Sequence, residues 1–181
     1  MLRPLTEAEV PTVGGWLADR TLADAYVATE EELGAEEVEG ALELAREVES
    51  VGAWAIDHRD GGLIASSYTK PDFPWEAVHE CEVTLSPELP KRQGYGLEAH
   101  QLVVDHVFRS RPEVVKVMGR AAGFNAAAIR IMEKLDARRE GTLRHHIELR
   151  GERFDLAIYG LLREEWEQTG ADQRRVPLPA L

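Results

Sequence analysis

The chain has 181 residues, 44% hydrophobic and 30% charged, which suits one soluble globular domain with a sizeable core and excludes both general disorder and two full domains. Its formal net charge of -12 argues against a nucleic-acid partner and for a cationic or polar one. No apolar run approaches the roughly 20 residues of a membrane span, the opening MLRPLTEAEV shows no signal-peptide pattern, and the single cysteine, Cys81, rules out an intrachain disulfide; a cytoplasmic protein with no membrane partner is the expectation.

Residues 2–6 (LRPLT) predict a short strand leading to a helix capped by Thr6, with Glu9 at the third helical position. Val10, Val13, Trp16 and Leu17 recur at helical spacing. A second helix is expected over 35–49, where Val38, Leu42 and Ala45 share a side and Gly40 weakens the pattern. The charge is uneven: residues 30–49 hold nine glutamates against one arginine, whereas 134–153 hold six basic and four acidic side chains. A solvated helix face accounts for the acidic run; so does an acidic rim that draws an amine acceptor.

VGAWAID (51–57) and LIASSYT (63–69) flank RDGG and predict a hairpin. Pro71 and Pro74 are expected to break the second strand, and AVHECEVTL (77–85) to form the next. Its alternation puts Val78, Glu80, Glu82 and Thr84 on one face and His79, Cys81, Val83 and Leu85 on the other. Pro87 and Pro90 end it. Residues 95–109 predict a helix with Leu97, Leu102, Val103, Val107 and Phe108 available to a core, and VVKVM (114–118) a short strand bounded by GRAAG. Asn125 precedes a helix carrying Ile129, Met132 and Leu135; RREGTLRHHIEL (138–149) and RFDLAIYGLL (153–162) predict the last two strands. The domain is expected over 1–166, with 167–181 an irregular tail. The apolar final strand and the tail make a homodimer the expected assembly.

Between strand and helix lies KRQGYG (91–96). A strand, a proline-marked turn, two close glycines and a helix start put free backbone N–H groups where an anion can accept them. Gly94 and Gly96 would let the backbone approach it, and Lys91 and Arg92 add charge. Locally the segment fits an ordinary loop as well. It lacks the third glycine of a dinucleotide fingerprint and the GKS or GKT of a Walker loop.

Taken together, KRQGYGLEAHQLVVDHVF and NAAAIRIMEKLDARREGTLRHHIELRGERFDLAIYGLLREEW resemble the GNAT family of N-acetyltransferases, within it the branch acting on ribosomal proteins and small amines, over most of residues 2–166. The resemblance implies an α/β acyl-CoA acyltransferase fold: a mixed, mostly antiparallel sheet with a splayed central strand pair and flanking helices. It also implies that acetyl-CoA is the cosubstrate. Backbone N–H groups of 92–97 (Arg92, Gln93, Gly94, Tyr95, Gly96, Leu97), with Lys91 beside them, would hold its pyrophosphate. The strand carrying Val83 and Leu85 would receive the pantetheine arm, and Asn125 and Lys134 complete the cofactor set; as a residue, Asn125 also serves as a plain helix cap. This chain departs from the family where Lys91 replaces Arg or Gln, Ala128 a small polar residue, Met132 a common tyrosine, and KLDA the usual Lys-Leu-Gly-Phe.

Acetyl transfer to an amine needs a group that takes the amine's proton. Glu80 matches the family's glutamate and is the first choice; Glu82 shares its face if the pairing is regular, whereas a bulge would separate the two, and His79 is the second choice. A solvated sheet margin is the plain account of both glutamates. His145 and His146, adjacent on a strand, would face apart, and no metal is expected. Cys81 reads as a buried small hydrophobe, so direct transfer in a ternary complex is preferred. Tyr26, Tyr68, Phe73 and Trp75 could wall the acceptor pocket, for a protein N-terminus or a small amine. A non-catalytic acyl-CoA-binding or protein-interaction module, or a transferase using another acyl-CoA, are the alternatives.

Overall fold

The computed structural model describes residues 1–18, 40, 52–72 and 74–170. The expected helix over 35–49, the acidic run beside it, Tyr26 and Phe73 lie outside the described residues, apart from position 40. Among the described residues, seven strands form one sheet in the order β1-β2-β3-β4-β5-β7-β6. In chain order these are β1 (Leu2–Pro4), β2 (Gly52–Asp57), β3 (Leu63–Asp72), β4 (Trp75–Leu85), β5 (Lys116–Ala122), β6 (Arg138–Leu149) and β7 (Glu152–Leu162). The helices are α1 (Val10–Ala18), α2 (Tyr95–Ser110), α3 (Ala126–Lys134) and α4 (Arg163–Gly170).

All neighbouring strands pair antiparallel except β4 and β5, which run parallel. Side-chain alternation divides the core between the two faces. On one, Ile56, Ala65, Cys81 and Val83 meet Ala99, Val103, Val107 and Phe108 of α2; on the other, Ala53 and Ala55 meet Val10 and Val13 of α1, with Tyr68 alongside. Glu80 and Glu82 share the α1 face with Tyr68 and Lys70, since the register runs Tyr68↔Glu82 and Lys70↔Glu80 without a break.

Several expectations need correcting. Pro71 does not end β3: the strand continues to Asp72, with the register shift falling between Pro71 and Asp72, and a bulge is where a residue without an N–H is tolerated. Gly119–Ala122 are not a turn but the second half of β5, held by antiparallel pairing to β7. His145 and His146 do not follow regular strand alternation, because the β6 register shifts between Leu143 and Ile147 and His145 has φ 52°. Residues 167–170, expected in the tail, continue α4. Thr6 and Glu9 form the expected capping pair, around a short 3-10 turn ahead of α1: the Glu9 carboxylate accepts from the Thr6 N–H at 3.0 Å and hydroxyl at 2.7 Å. Among the described residues no helix is long and apolar enough to cross a membrane.

Candidate active site

The parallel β4–β5 ladder has three rungs, Val78↔Lys116, His79↔Val117 and Glu80↔Met118. No further rung follows, although β4 runs on to Leu85 beside β3 and β5 to Ala122 beside β7. The two strands therefore diverge after Glu80 and Met118, and the peptide edges of 81–85 and 119–122 face a gap. Beneath the branch point, on the α2 and α3 side, lies an apolar pocket lined by Cys81, His100, Gly119, Met132 and Tyr159.

At the open end of β4 the chain turns through exposed Lys91, Arg92, Gln93 and Gly94 into α2. Arg92 (φ 65°) and Gly94 (φ 91°) both adopt left-handed backbone. The first bond returned along the helix is Glu98 N–H to Gly94 O at 3.1 Å, so the N–H groups of Tyr95, Gly96 and Leu97 have no intrahelical acceptor. A Cβ on Gly94 would meet nothing within 4 Å, whereas one on Gly96 would stand 2.9 Å from Ile131 Cδ1. Gly94 is thus required by the turn, and Gly96 by the close approach of α2 and α3. At the start of α3, Asn125 Oδ1 accepts from the Ala128 N–H at 3.0 Å, which makes it a helix cap.

On the α1 face a charged cluster lies against the branch point. Glu80, only 4% exposed, pairs through Oε1 with Arg120 Nε at 3.2 Å and through Oε2 with Lys70 Nζ at 3.5 Å. Arg120 also reaches Asp72 Oδ1 at 3.6 Å. Arg120 stands on β5 beyond the last rung, so its side chain reaches back to β4 past the opening. Glu82 is open to solvent, yet enough protein surrounds its carboxyl that loss of hydration, followed by the nearby Glu80 charge, raises its pKa.

His79 does not join the two glutamates. It is 1% exposed and on the opposite face, where burial lowers its pKa, and its Nδ1 has no hydrogen-bond partner. Val83 is buried in the α2 core, so its side chain is not available to a ligand; Leu85 is half-buried near Gly96. Lys134 ends α3 and lines a separate pocket with Gln101, Asp105 and Asp136, away from Asn125 at the other end of that helix. Burial pushes the Cys81 thiol far up, which keeps it protonated. Trp75 is 67% exposed at the start of β4. Among the described residues no group of three His, Cys, Asp or Glu side chains is arranged to hold a metal ion.

Lys70 and Arg120 escaped the sequence reading. The signal was there for Arg120: Lys116, Met118 and Arg120 alternate, but GRAAG looks like a turn unless β7 is known to hold it.

The family model described as "Acetyltransferase (GNAT) domain" matches residues 1–138. Among solved structures, spermidine N-acetyltransferase from Vibrio cholerae, in complex with CoA and spermine, superposes with a TM-score of 0.81 at 16% identity, covering 92% of this chain and 97% of that one. Ribosomal-protein-alanine N-acetyltransferase from Brucella melitensis gives 0.76 at 18% identity, with 90% and 99% covered. A GNAT-family acetyltransferase from Bacillus anthracis gives 0.74 at 20% identity, with 91% and 95% covered. At these identities the structures establish the fold. Among curated proteins, no sequence matches the chain.

Proposed function

The chain belongs to the family of GNAT acetyltransferase domains, and on that premise we propose that it transfers the acetyl group of acetyl-CoA to a primary amine, on a protein N-terminus or a small amine, by direct attack. The observation that carries this reading is the end of the β4–β5 ladder at Glu80↔Met118, beside a turn with unclaimed helix-start N–H groups. A gap between strands is useful where a ligand pairs with peptide groups along it. Backbone groups of 92–97 with Lys91 would hold the pyrophosphate, and the edges of 81–85 and 119–122 the pantetheine arm. The bound thioester supplies the activated acyl group. A carboxylate of the Glu80 and Glu82 pair takes the acceptor's proton, and this face, where Glu80, Glu82 and Asp72 outnumber Lys70 and Arg120, favours a cationic amine over an anion.

Mass-resolved product formation from acetyl-CoA with peptide, polyamine and aminoglycoside acceptors tests the proposal. An acetylated amine in any arm supports it and names the acceptor class. Acetyl-CoA binding with no acylated product from a broad amine panel would favour a non-catalytic acyl-CoA-binding module instead.

A further inference from the structure

The two glutamates of β4 are two residues apart on one strand face, yet their surroundings differ. Both oxygens of Glu80 are engaged, one by Arg120 at 3.2 Å and the other by Lys70 at 3.5 Å, and the side chain is 5% exposed. With a cation on each oxygen, the Glu80 carboxylate is held in place rather than free to turn toward an acceptor. Arg120 is tied in turn to Asp72, so the clamp spans β3, β4 and β5. Glu82 has no ion pair among the described residues, is open to solvent, and lies on β4 past the last rung, beside the gap.

We propose that Arg120 and Lys70 hold Glu80 in place as a positioning group, and that Glu82 is the group that takes the acceptor's proton. This rests on the acyl-transfer reading above. In the step, the Glu82 carboxylate forms an O–H bond with one proton of the acceptor ammonium, whose N–H bond breaks. The nitrogen lone pair so released forms the N–C bond while the C–S pair departs with sulfur. Sulfur collects the nitrogen's second proton, and Glu82 returns its own to solvent.

The charged groups facing Glu82 are Glu80 on its own strand, Lys70 on β3 and Arg120 on β5; Glu80 disfavours its anion and the two cations favour it. The division of roles therefore makes opposite demands on two variants. Glu80→Gln lowers the Glu82 titration midpoint, and Arg120→Gln raises it, with Arg120→Lys restoring most of the wild-type value.

Carbon-13 NMR of glutamate carboxyls, assigned with Glu82→Gln, reads that midpoint directly and needs no substrate. The pH profile of kcat/KM should follow, its acidic limb moving down in Glu80→Gln and up in Arg120→Gln, while Glu82→Gln loses at least about a hundredfold in rate. A Glu82 midpoint unmoved by both changes overturns the proposal. So does a Glu82→Gln enzyme at wild-type rate beside an inactive Glu80→Gln. Failure of the wild-type protein to bind acetyl-CoA in calorimetry overturns the acyl-transfer reading, and the proton-acceptor role with it, whatever the titration shows.

Discussion

The Arg163 guanidinium lies 4.9 Å over the ring of Phe108 and also donates to the carbonyl of that residue at 2.8 Å. Its other nitrogens donate to the carbonyls of Arg111 at 2.7 Å and Val114 at 2.8 Å. One side chain at the start of α4 thus closes the C-terminus of α2 and the loop into β5, whose carbonyls would otherwise need water. Charge-assisted bonds of this kind are the stronger ones. Replacing Arg163 with Ala should cost about 2–4 kcal/mol of stability in urea unfolding, and Lys should recover only part, because it lacks the planar fork. A loss below about 0.5 kcal/mol, the range of surface changes, would contradict this.

The two glycines of the turn should separate by experiment. Gly94→Val has space for its side chain but must hold φ near 91°, a left-handed strain of about 1–2 kcal/mol; the turn will relax away from its conformation, and acetyl-CoA affinity should fall at least about tenfold. In Gly96→Val the first added carbon meets Ile131 Cδ1 at 2.9 Å. Overpacking between α2 and α3 costs about 1–3 kcal/mol, so this variant should lower the melting temperature clearly. Calorimetric titration and thermal melts of both proteins check the pair; an unchanged acetyl-CoA affinity in Gly94→Val would contradict it.

Stability should fall on mild acidification. Burial lowers the pKa of His79, His100 and His106 below the ordinary 6.5. The unfolded chain then binds protons that the folded one refuses, so stability rises with pH in this window. The contribution is complete above about pH 6.5 and is lost as pH falls from there toward the folded-state values. Urea midpoints at several pH values should show this slope. His79→Leu, which removes both a titrating group and an unpartnered Nδ1, should flatten it. An equal slope in the variant would contradict the assignment.

How far the sequence speaks depends on whether its signals are local. The faces of β4 were legible only in part: the polar and apolar alternation through HECEVTL is imperfect, and the parity of Glu80 and Glu82 holds because pairing with β3 is regular over 79–85. By the same parity His79 points away from Glu80, as the structure places it. The end of the β4–β5 ladder was available only through resemblance, since nothing in AVHECEVTL or VVKVM says where two strands part. Pro71 and the GRAAG segment each read as a break by composition, yet each is carried through a strand by its pairing: Pro71 with His79 across the β3–β4 hairpin, and Gly119–Ala122 with β7, far on in the sequence. Arg120 was lost with GRAAG, although it is the residue that reaches back to Glu80 from the splayed half of β5.

Amide NMR during titration with acetyl-CoA tests the central claim most directly, because it reports which backbone groups meet the ligand. The account predicts saturable shifts concentrated in 92–97, 81–85 and 119–122, with the β6 edge strand unmoved. Saturable binding that leaves the turn and both diverging edges unperturbed, or no binding at all, would contradict it.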